Sequence, residues 1–337
     1  MHPETGGWKL SPVGWRCAAI ARWSAAGAVL LAAAANAEPL PRVTFLPQWL
    51  PQAQFAGYYV AQDKGFYRAR GLDVDVLSGG PDSPTSTGLE QGSADFGTLW
   101  LSTAIQLRAR GMPVVNLAQI VERSSLMLVA RRARGIQSPA DLNGHKIGVW
   151  EGDFLLQPQL FFKRQALDVY PVPIASTINL FLRGGTDVNV AMWYNEYHTI
   201  LSAGLDPDEL TTFFFYDYGL DFPEDGIYCR EETLRERPAQ VAAFVQGSLD
   251  GWEYAFAHPG EAVDVVMQYM RRAHVPTSRV HQEWMLARMR DLILPAGAVR
   301  PSGILTRASY DRVADALVES GWISAAPPFD SFAHAPK

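Results

Sequence analysis

Gln48-Trp-Leu-Pro-Gln-Ala-Gln-Phe-Ala-Gly-Tyr-Tyr-Val-Ala-Gln-Asp-Lys-Gly-Phe-Tyr-Arg-Ala-Arg-Gly-Leu-Asp-Val-Asp-Val76 decides the fold of this chain. Helical spacing from about Gln54 to Tyr67 is followed by Gly71, a helix stop, and then by strict alternation in "LDVDVL" (72–77), the pattern of a half-exposed strand. The β-branched and aromatic run "RVTFLP" (42–47) precedes it. Strand, helix and strand in about 35 residues make a β-α-β unit, and Trp49, Phe55, Tyr58 and Tyr59 crowd the mouth of its helix.

The same alternation continues downstream. A Gly/Pro/Ser loop, "GGPDSPTSTGLEQG" (79–92), leads into a short helix with Ser83 or Thr85 as N-cap candidates. "ADFGTL", "LSTAIQLRARG" and "PVVNLAQIV" then read as strand, helix and strand. A second block restarts at "SLMLVARR" (125–132) and runs through "KIGVW" (146–150), "QLFFKRQAL" (159–167), "VNVAMWY" (188–194) and "TTFFFYDYG" (211–219). From Glu231 the periodicity is helical, Pro259-Gly260 interrupts it, and the tail from Ser324 is expected to be loosely held. The expected organisation is a leader over 1–37, the first part of lobe 1 over 38–127, lobe 2 over 128–221, and a return to lobe 1 with C-terminal helices over 222–337.

Composition narrows the function classes. The chain has 337 residues, enough for two lobes, and is 48% hydrophobic. A net charge of −6 without a basic stripe excludes nucleic acid as an expected partner. Lys9, Arg16 and Arg22 lead into "SAAGAVLLAAAANA" (24–37), whose Ala35-Asn36-Ala37 suits a signal peptidase. Export to the periplasm with cleavage near Ala37 follows, and it takes the net charge to −8; an uncleaved anchor and a misassigned start codon are the alternatives. Cys17 falls in the leader, so Cys229 is left alone, no internal disulfide forms, and the thiol is expected to be a buried strand residue.

Catalytic spacing is missing: there is no Gly-x-Ser-x-Gly elbow, P-loop, Gly-x-Gly-x-x-Gly turn or His-Glu-x-x-His. His145, His198, His258, His274 and His281 are scattered and read as surface or satisfied residues, and no metal or cofactor is expected. What recurs is a ring just past a strand: Trp49, Trp100, Trp150 and Trp193-Tyr194. Carboxyl ends of strands in an open α/β sheet face the ligand crevice, so these rings are expected to line one cleft rather than pack separate interiors. Ring contacts of about 0.5–1.5 kcal/mol each suit a flat, conjugated ligand. Gln48, Gln52, Thr98, Ser102, Glu151, Asp153, Asn195 and Glu196 stand beside them as polar partners, and Glu196 reads equally well as a helix-start acid. Backbone N–H groups of the "WEGDF" turn (150–154), Gly152 among them, face a ligand carbonyl or anion in principle, but Glu151 and Asp153 oppose a phosphate.

"FLPQWLPQAQFAGYYVAQDKGFYRARGLDVDV", "GSADFGT", "ARGMPV", "LNGHKIGVW" and "EDGIY" together resemble the substrate-binding proteins of ABC importers, in the group of sulfonate-binding and thiamine-pyrimidine-precursor-binding proteins. The resemblance spans Arg42 to about Leu317. It implies the type II periplasmic-binding fold: two α/β lobes, two crossovers and hinge closure on a small molecule. It also implies an aromatic heterocycle as ligand (a thiamine pyrimidine precursor or riboflavin), an inner-membrane ABC permease as partner, and a monomer. The wall Trp49, Gln52, Phe55 and Tyr58 would pair with Trp150–Asp153 and Trp193–Glu196, while Tyr59, Val60 and Phe66 face the lobe core. A thiamine pyrimidine synthase shares the fold, but the resemblance puts Leu99 where its lysine would stand and Thr103 where its histidine would. A sensory role for the same cleft stays open.

Overall fold

The computed structural model describes residues 39–294 and 296–334. The leader, its cleavage site and Cys17 lie outside the described residues. Among the described residues, ten strands form two five-stranded sheets. The first contains β1 (Arg42–Leu46), β2 (Asp73–Val76), β3 (Phe96–Trp100), β4 (Val114–Gln119) and β10 (Asp225–Arg230) in the order β2-β1-β3-β10-β4. The second contains β5 (Leu126–Arg131), β6 (Lys146–Val149), β7 (Tyr170–Pro173), β8 (Val188–Met192) and β9 (Leu210–Phe214) in the order β7-β6-β8-β5-β9.

Each sheet has one strand running against the rest. β5 is antiparallel to β8 and β9, and β10 is antiparallel to β3 and β4. These are the first strands laid down after the chain crosses between lobes, over 120–125 and again over 215–224. A chain that enters a sheet from the cleft side must run away from it, opposite to strands that end there. The expected boundary at 127/128 falls inside β5. β7, which carries Pro171 and Pro173, has no counterpart in the sequence reading; it lies at the sheet edge, where a missing N–H is tolerated.

The opening stretch begins with a 3-10 turn (Ala53–Phe55), then the helix Ala56–Asp63, and Gly65 at φ 76° breaks it before Phe66–Ala69. Neither Ser83 nor Thr85 caps the helix Thr85–Gln91; Pro84 holds the cap position, and Thr85 Oγ1 donates instead to the Leu46 carbonyl. The Ala56–Asp63 helix is buried against the long helix Pro238–Ala257 at a crossing where Gly57 meets Trp252 and Gly251 meets the Gly57 carbonyl. Cys229 is buried in β10, and burial pushes its thiol up to about 12. The tail is better held than expected: Phe332 is fully buried, and His334 N–H donates to the Asn116 carbonyl at 2.8 Å. The helix Arg307–Glu319 touches both lobes, through Arg164–Glu319 at 2.7 Å and through the helix Leu101–Ala109.

Candidate functional site

A cleft of about 710 Å3 lies between the sheets, within the size range of small-molecule sites. Lobe 1 lines it with the segments after β1, β2 and β3, and lobe 2 with those after β6, β7 and β8. The carboxyl ends of six parallel strands therefore meet around one void.

Of the residues singled out in the sequence, Trp49, Gln52, Trp100, Trp150, Glu151, Asp153, Tyr194, Asn195 and Glu196 line this void, as does Gln48. Five do not. Phe55 and Tyr58 are buried in the core of lobe 1, where the Tyr58 ring lies 4.5 Å from Phe45 and edge-on to Trp252. The turn that brings Gln52 and Gln54 to the cleft directs the next residues against β1, so only the first part of the expected wall faces ligand. Trp193 points away from the cleft because β8 gives way there to a turn, closed by Asn195 N–H donating to the Met192 carbonyl at 3.2 Å: Met192 and Tyr194 line the cleft, and Trp193 packs edge-on against Phe214 under the Arg288 guanidinium. Thr98 is buried behind the wall, where its Oγ1 accepts from Gln48 N–H at 2.9 Å. Gly152 supplies the φ of 68° that turns Glu151 and Asp153 inward. Ser102 is buried outside the lining.

Residues from the two lobes touch across the cleft. Thr103 Oγ1 and Gln106 Nε2 both donate to Asp153, at 2.5 and 3.0 Å. Trp100 meets Phe154 edge-on at 4.7 Å, and Trp150 meets the same ring at 5.4 Å. On the other side of the mouth, the helix Arg279–Ile293 of lobe 1 meets the helix Glu196–Ser202 of lobe 2. There His198 Nδ1 and His281 Nδ1 are 2.9 Å apart, and His281 Nε2 is 2.9 Å from Asn195 Oδ1. Asn195 Nδ2 donates to Glu196 Oε1 at 2.8 Å, so its oxygen must accept from His281 Nε2–H. Neutral His281 then accepts at Nδ1 from His198 Nδ1–H. The scattered histidines thus include one pair, 83 residues apart in sequence, that only folding brings together.

Near Tyr194 lie three carboxyls, Glu224 and Asp225 buried and Glu196 partly buried at the cleft wall. Burial raises Glu196 to about 7, against hydrogen bonds from Met192 N–H and Asn195; burial raises Glu224 to about 8, against two from Ser125; burial raises Asp225 to about 7. The Tyr194 phenol is raised first by burial and then by the charges of Glu224, Asp225 and Glu196. Glu224 ends the second crossover, Asp225 opens β10, and Ser125 lies on the first crossover, so this group also ties the hinge strands together. Sequence reading missed Glu224 and Asp225 as site residues, although they open the "EDGIY" segment. A Glu-Asp pair entering an apolar strand was the available signal.

The sign of the pH dependence follows. The folded chain keeps protons on these carboxyls at pH values where the unfolded chain has released them, near 4–4.5. Stability is therefore highest on the acid side and falls as pH rises from about 5 to 8. His281 acts oppositely: burial, then His198, lower it to about 4, so stability is lost as pH falls from about 6.5 towards 4. A thermal-melting series should show the midpoint rising from pH 8 to about 6 and turning over below about 5. Glu224→Gln should flatten the alkaline limb, and an unchanged limb in that variant would refute the assignment.

Comparison with known proteins agrees with this geometry. The NMT1/THI5-like family profile matches residues 52–262. A riboflavin-binding protein of Chloroflexus aurantiacus is 28% identical over 77% of this chain and 75% of its own length. A formylaminopyrimidine-binding protein of Halalkalibacterium halodurans is 24% identical over 86% of this chain and 88% of its own. In fold, the chain is similar to a periplasmic sulfonate-binding protein of Methylobacillus flagellatus, with a TM-score of 0.64 at 16% identity over 88% of this chain and 92% of that one. The profile match, which covers more than half of the chain, leads to one conclusion: this chain is a member of the NMT1/THI5-like family.

Proposed function

We propose that the protein is the periplasmic substrate-binding component of an ABC importer, acting as a monomer that closes two lobes on a flat, uncharged or cationic heterocycle and delivers it to a membrane permease. One observation carries this reading: among the described residues, the cleft is lined by Trp49, Trp100, Trp150 and Phe154 together with Glu151, Asp153 and Glu196, and by no Lys, Arg or His. Rings offer faces and edges to a conjugated ligand. Carboxylates in a half-enclosed cavity repel a sulfonate or phosphate and favour amino or ring N–H groups. The names of the two binding-protein relatives, for riboflavin and formylaminopyrimidine, fit this chemistry. Closure is stabilised by whatever affinity the ligand has for the closed arrangement over the open one, and Asp153 with its Thr103 and Gln106 partners is the contact closure makes.

A binding role fits better than pyrimidine synthesis. Leu99 and Thr103 occupy the cleft where that chemistry needs a lysine and a histidine, so pyridoxal phosphate has no amine with which to form a Schiff base.

Calorimetry at pH 7.5 against riboflavin, formylaminopyrimidine, riboflavin 5′-phosphate and an alkanesulfonate tests the reading. One of the first two should bind in the micromolar range or tighter, and the two anions at least 100-fold more weakly. Saturable sulfonate binding with no heterocycle binding would sink the proposal.

A further inference from the structure

Three glutamines and one carboxylate form a chain at the lobe 1 side of the cleft. Gln48 Nε2 donates to Asp225 Oδ1, Gln54 Nε2 donates to Asp225 Oδ2 at 2.7 Å, and Gln52 Nε2 donates to Gln54 Oε1 at 2.5 Å. Gln48, Gln52 and Gln54 all line the cleft, whereas Asp225 does not. Asp225 is 2% exposed, and it stands opposite Trp100 in the β3–β10 ladder. Its carbonyl also accepts from Ile120 and Val121 N–H, which fixes it to the first crossover. Gln48 is held by its N–H bond to Thr98, and the turn bearing Gln52 and Gln54 is held by Ala53 N–H donating to Gln282 Oε1 at 2.7 Å.

An amide side chain can be turned over at little steric cost, so its orientation is set by what faces it. Above the value of about 7 to which burial raises it, Asp225 is ionised and its carboxylate only accepts. It therefore requires nitrogen from both Gln48 and Gln54; with Gln54 nitrogen committed to Asp225, Gln54 offers its oxygen to Gln52, which must answer with nitrogen. Among the described residues, Gln48 Oε1 and Gln52 Oε1 then accept from no protein group.

Building on the heterocycle-binding reading above, we infer that Asp225 is a positioning residue that sets the hydrogen-bond polarity of the cleft: it fixes the Gln48–Gln54–Gln52 amides so that carbonyl oxygens are left for the ligand, and the protein selects a heterocycle by its N–H donors. Asp225 acts through the glutamines and does not touch ligand. A ring bearing an exocyclic amine is preferred over the same ring bearing a carbonyl at that position, because two carbonyl oxygens facing each other have no proton to share.

The test compares formylaminopyrimidine with its counterpart carrying a 4-oxo group in place of the 4-amino group, by calorimetry at a pH above 8, where Asp225 is ionised, on wild type and Asp225→Asn. Wild type should bind the amino form at least tenfold more tightly. In Asp225→Asn, one face of the side chain donates, either Gln48 or the Gln54–Gln52 pair turns over, and the preference should shrink to threefold or less through tighter binding of the oxo form. A preference unchanged in a folded Asp225→Asn protein, or equal losses for both ligands, overturns the inference, since a merely structural role would give one of these. If Asp225→Asn does not fold, Gln48→Met is read the same way: loss of preference supports the inference, and an unchanged preference overturns it. Should neither pyrimidine bind wild type, it is the ligand reading that fails. Amide orientation is then judged from the Gln48 and Gln54 side-chain NH2 resonances: slow hydrogen exchange supports the Asp225 anchor, and fast exchange in wild type overturns it.

Discussion

Replacing Gly251 with alanine is expected to destabilise the protein by about 3 kcal/mol, at the upper end of ordinary overpacking costs, and to lower the melting midpoint by roughly 5–10 °C. Gly251 lies inside the helix Pro238–Ala257, where a methyl group would ordinarily help by about 1 kcal/mol. Here a Cβ would enter the Gly57 carbonyl oxygen of the facing helix and press on the Ala61 Cβ. Backbone cannot swing aside as a side chain can, so the helices must separate, and the aromatic packing of Tyr58 with Trp252 separates with them. Overpacking therefore outweighs the propensity gain. Gly260 is the control: nothing lies within 4 Å of its Cβ position, and Gly260→Ala should be neutral or slightly stabilising. Equal midpoints for Gly251→Ala and wild type, by thermal and urea unfolding, would show the crossing to be looser than drawn.

Trp150→Ala should weaken heterocycle binding by about 30-fold, the consequence of losing roughly 2 kcal/mol from an aromatic anchor. Trp150 lines the cleft, is only half-buried, and is oriented by its Nε1–H donating to the Ala175 carbonyl at 3.3 Å. It also braces Phe154, which in turn meets Trp100 from the opposite lobe. The fold does not depend on it as it does on Trp252, so the melting midpoint should move by no more than a few degrees. Titration calorimetry with the tightest ligand of the panel, alongside a melting curve, separates the two effects. Unchanged affinity would remove Trp150 from the binding surface; a matching collapse of stability would make it a core residue.

Apart from β7, the strands of both sheets were legible because they are short runs rich in β-branched, aliphatic or aromatic residues, and local chemistry of that kind survives folding. β7 was not, since Pro171 and Pro173 remove the donors that mark a strand, and only its edge position makes them harmless. The strand-end rule located the cleft correctly, but it could not say which of two adjacent rings faces inward. Trp193 and Tyr194 differ by one residue and point to opposite sides. The mid-helix pair Gly247 and Gly251, four residues apart, was a readable sign of a close helix crossing.

The sequence by itself determined the order of strands and helices, the division into two β-α-β blocks, and the rings and acids waiting at strand ends, because these follow from periodicity and from neighbours along the chain. Only the tertiary structure decided that β5 and β10 run backwards, that His198 meets His281, and that Asp225 faces Gln48 and Gln54 across more than 170 residues. Such pairings are set by how two separately built sheets turn towards one another, and no local stretch of chain encodes that geometry.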